Sequence, residues 1–311
     1  MSQNPREDDK AARPVVCAIG ASAGGVKALQ NLFSALEQDL DLAYVVIIHL
    51  SPDHPSQLSE ILAGRTQMPV LQVDDSPRLK GDCVYVIAPD RELVIEDGHV
   101  TSRPISEPRS RRAPIDLFFR SIAQSRGDGI AVLLSGSGSD GALGVKAMKE
   151  AGGVILVQEP SDAEYANMPR SAIATGAVDF VGTVPQLAAR IAEIVRNKSA
   201  IQKLKKQDTE AEVRRILAFL RARTGHDFAS YNRNTVMRRI ARRMQITRQV
   251  TFEAYREFVR INPEEAQELF SDLLISVTSF FRDPAVFEVV STSAIGPIFD
   301  RLGADEPLRA W

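Results

Sequence analysis

A serine set among glycines follows the first apolar run of the chain and could act as a nucleophile. Residues 20–25 read GASAGG and lie between the apolar run 15–19 and the helix-like segment 26–33. This strand, turn and helix order fits the G-x-S-x-G nucleophile elbow, in which N–H groups at the helix start can stabilise an oxyanion. A plain glycine turn has the same composition. A dinucleotide-binding fingerprint is disfavoured because Ser22 stands where its second glycine is required.

Two further polar side chains stand at the ends of apolar runs. The run 43–48 ends in His49, and the run 130–134 leads into SGSGSDG, which contains Asp140. In doubly wound sheets, ligand sites lie beyond the carboxyl ends of the strands. We therefore expect Ser22, His49 and Asp140 to meet at one edge of a sheet, where a hydroxyl, an imidazole and a carboxylate can carry out nucleophilic acyl transfer. Taken singly, each residue could be structural: Ser22 in a glycine turn, His49 at a strand end, and Asp140 in a turn or as an N-cap. His54 is an alternative candidate for the base.

The elements that must position these residues follow from the hydrophobic pattern. From residue 15 to about 196, short apolar runs alternate with helical periodicity, which predicts an α/β fold: a doubly wound, mainly parallel sheet with helices on both faces. A turn-like centre within residues 93–99 predicts an antiparallel hairpin at the sheet edge. The predicted strands are 15–19, 44–49, 70–73, 83–87, 130–135, 153–157 and 179–181, and the predicted helices are 26–36, 56–63, 113–124, 141–151, 169–175 and 185–195.

The composition and the hydrophobic pattern of the chain change after residue 196. Residues 197–209 are polar and basic and are interpreted as a linker that could be helical, whereas residues 210–284 have helical periodicity throughout, which predicts a small all-α domain. Residues 285–311 are interpreted as the truncated start of a second α/β domain, and the polar residues 1–13 as a disordered tail. The sequence therefore predicts an α/β domain over residues 14–196 followed by a helical domain.

Composition excludes several classes of function. The 311 residues are 44% hydrophobic and 25% charged, with a net charge of −2, which favours neither nucleic acid nor a membrane surface as partner. No apolar run is long enough to span a bilayer, so membrane insertion is not expected. Cys17 and Cys83 lie in strand-like runs, where buried, reduced thiols and a cytoplasmic location are expected. No Cys/His spacing typical of a metal site is present.

Four segments closely resemble the catalytic domain of CheB, the chemotaxis protein-glutamate methylesterase and glutamine deamidase. They are AIGASAGG at 18–25, VIIHL at 46–50, LSGSGSDGALG at 134–144 and NMP at 167–169, and the resemblance covers about residues 14–196. It implies a doubly wound sheet carrying Ser22 as nucleophile, His49 as base and Asp140 as carboxylate, with no cofactor. It also implies oxyanion donors at the backbone N–H groups of Ala23 and Ser137, the latter where the family usually has methionine. The three residues occur along the chain in the order Ser, His, Asp, whereas α/β-hydrolases have the order Ser, Asp, His, which argues against that family.

The helical part resembles the N-terminal domain of CheR, the receptor methyltransferase, through RRIARRM at 238–244 and SVTSFFRD at 276–283. The first segment has an apolar face and an opposite basic face. The resemblance implies that this basic face, Arg238, Arg239, Arg242 and Arg243, binds an acidic receptor helix. It also implies that Ser276, Thr278 and Arg282 contact S-adenosylmethionine, although the family often has asparagine at the first position. The glycine-rich cofactor loop would follow residue 311, so the methyltransferase site is expected to be incomplete here.

These observations predict a protein-glutamate methylesterase joined to part of a methyltransferase, with the cytoplasmic helices of methyl-accepting chemoreceptors as substrate. Two alternatives stay open: a catalytically idle receptor-binding module, and a fragment whose main function is methyl transfer. The basic helix could instead be a solvated surface. A basic loop containing Arg109, Arg111 and Arg112 could likewise hold an acidic receptor helix or be solvated.

Overall fold

The computed structural model describes residues 14–49, 56–105, 113–125, 127–202, 206–274 and 289–295. The chain divides into two compact units, residues 1–274 and residues 275–311. The second unit is described only at 289–295, where Ser291–Ile295 forms a short π-helix. The predicted tail, residues 1–13, lies outside the described residues, and the predicted start of a second α/β domain, residues 285–311, is described only at 289–295.

Seven strands of the first unit form one parallel sheet. They are β1 (Val15–Ala21), β2 (Leu42–Ile48), β3 (Val70–Val73), β4 (Cys83–Ile87), β7 (Ile130–Leu133), β8 (Val154–Gln158) and β9 (Phe180–Gly182), with the hairpin β5 (Arg91–Glu96) and β6 (His99–Pro104) between them in the chain. The order in the sheet is β3-β4-β2-β1-β7-β8-β9. Every residue of β2 is buried. Because successive side chains of a strand point to opposite faces, both faces of the sheet are covered. The predicted doubly wound α/β fold is confirmed.

Six helices accompany the sheet: α1 (Gly25–Ala35), α2 (Leu58–Ala63), α3 (Pro114–Ser125), α4 (Ala142–Ala151), α5 (Asn167–Ile173) and α6 (Val184–Gln202). All were predicted, although α6 continues several residues beyond its expected end. The hairpin exists, but it forms a separate two-stranded sheet, so its predicted place at the edge of the main sheet is wrong. The hairpin contacts α3, where the Ile95 backbone N–H donates to the Ser121 hydroxyl at 3.1 Å.

A helical domain with its own core completes the first unit. It consists of α7 (Lys206–Thr224), α8 (Arg233–Ile246), α9 (Phe252–Ile261) and α10 (Pro263–Leu274). Asn232 caps α8 by accepting from two backbone N–H groups, as an N-cap asparagine is expected to do. The predicted apolar face of α8 is confirmed, because Val236, Ile240 and Met244 lie in this core. The segment interpreted as a linker is helical wherever it is described, within the end of α6 and the start of α7.

Candidate active site

Ser22 and His49 follow two adjacent parallel strands at the same edge of the sheet. In the β1–β2 ladder, Ala21 pairs with Ile48, and each candidate is the next residue along its strand. Neighbouring strands lie about 4.8 Å apart, so the two residues lie close together at this edge of the sheet. Ser22 is half-buried, and the His49 side chain is 41% exposed. β1 pairs with β2 on one side and with β7 on the other, so the strand order reverses direction at β1. Ligand sites of open α/β sheets lie at such a reversal.

Asp140 comes from the loop that follows β7 and forms a hydrogen bond with His49. The distance from His49 Nε2 to Asp140 Oδ2 is 2.8 Å, and the carboxylate is nearly buried. An ionised carboxylate can only accept, so Nε2 carries the proton of this hydrogen bond. In that tautomer Nδ1 carries no proton and can accept one. The site thus brings a hydroxyl, an imidazole and a carboxylate, the three groups that nucleophilic acyl transfer uses, to one edge of the sheet.

The turn around Ser22 depends on glycine. Gly24 has a φ of 71°, in the left-handed region that residues with a Cβ rarely occupy. A Cβ at this position would also lie 2.8 Å from both the Ser135 hydroxyl and the Glu164 Cβ. The Ser22 N–H donates to the Ser135 carbonyl at 2.9 Å, and the Gly25 N–H donates to the Ser22 carbonyl at 2.8 Å. Together these contacts fix the backbone on both sides of the hydroxyl.

The geometry is compatible with the predicted oxyanion donors. In a trans peptide the N–H points away from the preceding carbonyl, and the described peptide bonds are all trans. The Ser22 carbonyl accepts from Gly25 within the turn, so the Ala23 N–H points out of it. Within the described part of the chain, the N–H groups of Ala23 and Ser137 have no hydrogen-bond partner. Their role as donors to an oxyanion stays a prediction.

Sequence reasoning missed the residues that support this turn from behind. The buried Ser135 hydroxyl donates to the Ala23 carbonyl at 2.9 Å and accepts from the Tyr165 N–H at 2.9 Å. The Ser135 N–H donates to Gln158 Oε1 at 2.9 Å, and Gln158 is itself buried at the end of β8. A polar residue ending an apolar strand is the signal that singled out His49, and the same signal at Gln158 could have found this contact.

A second buried carboxylate, Asp116, stands next to Asp140 and was also missed. Asp140 accepts from the backbone N–H groups of Ile115 and Asp116 at 3.0 and 2.9 Å. The Asp116 carboxylate accepts from the Gly144 N–H. Burial raises the pKa of Asp116 above its ordinary value and the negative charge of Asp140 adds to the rise, whereas the hydrogen bond from Gly144 opposes it. The only sequence signal was an acidic residue in the first turn of a predicted helix.

Three of the four arginines predicted to bind a receptor helix are buried within this chain. Arg239, Arg242 and Arg243 are buried, and Arg238 is exposed. Arg243 pairs with Glu265, and Arg239 donates to the carbonyls of Lys149 and Glu150 at the end of α4. The solvated interpretation of this face is therefore wrong for these three. In this conformation their guanidinium groups are not available to a receptor helix.

The pKa values of the arginines follow from this burial. Burial lowers the pKa of Arg239 to about 10; the negative charges of Asp272 and Glu150 oppose the fall, and the positive charges of Arg242 and Arg238 add to it. Burial alone would also lower the pKa of Arg243, but the hydrogen bonds and negative charge of Glu265 outweigh burial and raise it.

Several predicted residues lie outside the described residues. They are the cofactor candidates Ser276, Thr278 and Arg282, the loop arginines Arg109, Arg111 and Arg112, and the alternative base His54. Within the described ranges, no cluster of three or more His, Cys, Asp or Glu residues could hold a metal ion. In the same ranges, every helix is too short or too polar to cross a membrane.

Comparison with known proteins identifies two family matches along the chain. The model for the CheB methylesterase family matches residues 17–191, and the model for the all-alpha domain of CheR methyltransferase matches residues 211–274. An uncharacterized 104.1 kDa protein from Rhodobacter capsulatus is 33% identical over 279 residues, which are 82% of this chain and 29% of that protein. This relative aligns across both matched regions, but the present chain spans less than a third of its length.

Two further similarities concern the α/β domain alone. A putative protein-glutamate methylesterase/protein-glutamine glutaminase from Leptospira interrogans is 33% identical over 181 residues, covering 58% of this chain and 94% of that protein. The crystal structure of the Thermotoga maritima CheB methylesterase catalytic domain superposes with a TM-score of 0.55 at 25% identity, covering 58% of this chain and 98% of that one. The residues that form the candidate site all lie within residues 17–191, which the CheB methylesterase model matches.

Proposed function

Because the chain belongs to the CheB methylesterase family, with an all-α domain of the CheR type following, we propose that it hydrolyses glutamyl methyl esters on chemoreceptor-type proteins. The observation that carries this proposal is the 2.8 Å hydrogen bond from His49 Nε2 to Asp140, formed beside Ser22 at the carboxyl edge of the sheet. A serine hydroxyl together with an imidazole that is hydrogen-bonded to a carboxylate supplies the groups needed for ester hydrolysis through an acyl-enzyme.

The reaction proceeds in two halves. Ser22 Oγ attacks the side-chain carbonyl of the methyl ester while His49 Nδ1 takes the hydroxyl proton, and Asp140 stabilises the imidazolium that forms. Collapse of the tetrahedral intermediate breaks the bond to the methoxy group, which leaves as methanol with the proton from His49. Water, deprotonated by His49, then attacks the acyl-enzyme and releases the glutamate side chain and Ser22. The N–H groups of Ala23 and Ser137 hold the oxyanion in both halves.

The same site can accept a glutamine side chain, in which case ammonia leaves in place of methanol. The name of the Leptospira relative includes both activities. The two free cysteines are buried, which is compatible with work in the reducing cytoplasm, where the signalling ends of receptors lie. No step of this chemistry uses S-adenosylmethionine, whose predicted contact residues lie outside the described part of the chain.

The test is methanol release from a methylated receptor cytoplasmic fragment. Wild type should release methanol, and Ser22→Ala should reduce the rate by roughly 10⁴-fold or more, because the remaining site cannot form the acyl-enzyme. Ser139→Ala is the matched control: Ser139 is exposed in the loop that carries Asp140, and its side chain takes no part in the proposed chemistry. This variant should retain the wild-type rate.

A fluorophosphonate probe separates the choice of substrate from the chemistry of the site. It should label wild type and Ser139→Ala but not Ser22→Ala, because the probe reacts with an activated serine whatever the natural substrate is. Labelling without methanol release would mean that the ester substrate is wrong. An equal rate of hydrolysis by wild type and Ser22→Ala would refute the assignment of the nucleophile.

A further inference from the structure

The N-termini of α3 and α4, behind the candidate site, are capped reciprocally by two carboxylates. Asp140 precedes α4, and it accepts from the N–H groups of Ile115 and Asp116, the second and third residues of α3. In return Asp116, in the first turn of α3, accepts from the N–H of Gly144, the third residue of α4. The first N–H groups of a helix have no partner inside it and need an external acceptor. Each carboxylate therefore caps the other helix.

Neither helix has a cap of its own at this end. Ala113 precedes α3 and has no polar side chain, and Gly141, the N-cap of α4, makes no side-chain hydrogen bond. The helices also pack closely here, since a Cβ on Gly144 would lie 2.7 Å from the Phe119 Cβ. The two N-termini are consequently held against each other by Asp116 and Asp140 and by this close contact.

This reciprocal capping involves the same carboxylate oxygen that is hydrogen-bonded to His49. Asp140 Oδ2 serves both His49 Nε2 and the Ile115 N–H, at 2.8 and 3.0 Å. A shift of the first turn of α3 would therefore draw the shared oxygen away from the imidazole. Asp116 ties this turn to α4, the helix that Asp140 precedes, by accepting from the Gly144 N–H.

We propose that Asp116 is a positioning residue for the candidate site, holding Asp140 in register with His49 by capping α4 from the first turn of α3. The inference rests on the proposed chemistry of Ser22, His49 and Asp140. The required property of Asp116 is an acceptor oxygen at the Gly144 N–H, which asparagine can supply and alanine cannot.

The experiment measures the rate of fluorophosphonate labelling of Ser22 in the full chain, with methanol release in parallel. In the labelling step Ser22 Oγ bonds to phosphorus, fluoride leaves, and His49 takes the hydroxyl proton. Asp116→Ala should lower the maximal labelling rate roughly tenfold to a hundredfold, because small misplacements of catalytic groups have effects of that size. The half-saturating probe concentration should stay within about twofold, and Asp116→Asn should restore the rate to within a few-fold of wild type.

Ser121→Ala is the matched control on the same helix. The Ser121 hydroxyl ties α3 to the hairpin by accepting from Ile95, so its loss loosens α3 without touching Asp140. This variant should keep the wild-type rate. The proposal is overturned if Asp116→Ala labels at the wild-type rate, or if it slows no more than Ser121→Ala at an equal loss of melting temperature. Labelling of wild type without methanol release would refute the ester substrate and leave the comparison at Asp116 valid.

Discussion

Replacing Arg242 with alanine should destabilise the first unit strongly. This guanidinium joins α8 to the α/β domain: it donates to both Asp179 oxygens at 2.7 Å, to the Gly153 carbonyl at 2.8 Å, and to Asp272 on α10. The side chains of Arg242, Asp179 and Asp272 are only 1%, 2% and 1% exposed. The variant would leave two carboxylates buried without the cation between them.

The expected loss follows from that burial. Removing one partner of a buried ion pair costs about 3–5 kcal/mol, whereas an exposed pair contributes about 0–1 kcal/mol. With a urea slope of about 3 kcal/mol/M, the loss corresponds to a fall of roughly 1 M or more in the unfolding midpoint. Far-ultraviolet circular dichroism follows the transition, and hydrogen exchange of α8 reports whether the helix stays docked.

Two variants make the result interpretable. Arg214→Ala removes an exposed arginine of α7 and should change the free energy of unfolding by no more than about 0.5 kcal/mol. Arg242→Lys keeps the charge but lacks the planar fork that serves several acceptors, so its midpoint should lie between those of wild type and Arg242→Ala. If Arg242→Ala unfolds at the same urea concentration as Arg214→Ala, the docking of α8 on the α/β domain through Arg242 is refuted.

Two further perturbations test the turn at Ser22 and the buried thiols. Gly24→Ala and Gly176→Ala both place a Cβ at a φ near 70°, at a cost of about 1–2 kcal/mol each, but only Gly24 meets close neighbours and adjoins the nucleophile. Their urea midpoints should therefore both fall, whereas the fluorophosphonate labelling rate should fall only for Gly24→Ala, and an equal rate in both would contradict the steric argument. Burial raises the pKa of the Cys17 and Cys83 thiols, so at pH 8 the folded protein has little reactive thiolate. Iodoacetamide should alkylate both only after unfolding, as counted by mass spectrometry, and rapid alkylation of the folded protein would show that the thiols are accessible.

The α/β architecture could be predicted because its signals are local. Fully apolar runs such as β2 predict strands buried on both faces, and the helical periodicity between them predicts the crossovers of a parallel sheet. Polar residues at the ends of such runs fall at one edge by the topology alone, which is why the sequence is enough to group Ser22, His49 and Asp140. The roles of these three residues in the reaction stay predictions for the labelling and hydrolysis experiments.

The sequence alone did not assign the partners of the basic helix. Periodicity placed Arg239, Arg242 and Arg243 on a face opposite the apolar one, and a charged face is ordinarily solvated. The structure supplies acceptors from far along the chain, since Asp179 is 63 residues from Arg242 and the Lys149 carbonyl is 90 residues from Arg239. No local pattern encodes such pairings.

By itself, the sequence determined the strands, the helices and the glycine turn at Ser22, because each depends on residues close together in the chain, and it determined the family through four short segments in a fixed order. The tertiary structure alone decided which nitrogen of His49 faces Asp140, that Asp116 and Asp140 cap each other's helices, and that three arginines of α8 are buried. Asp116 and Asp140 are 24 residues apart, and the N–H groups they satisfy come from different helices. Such contacts exist only once α3 and α4 have packed, since folding alone brings their N-termini together.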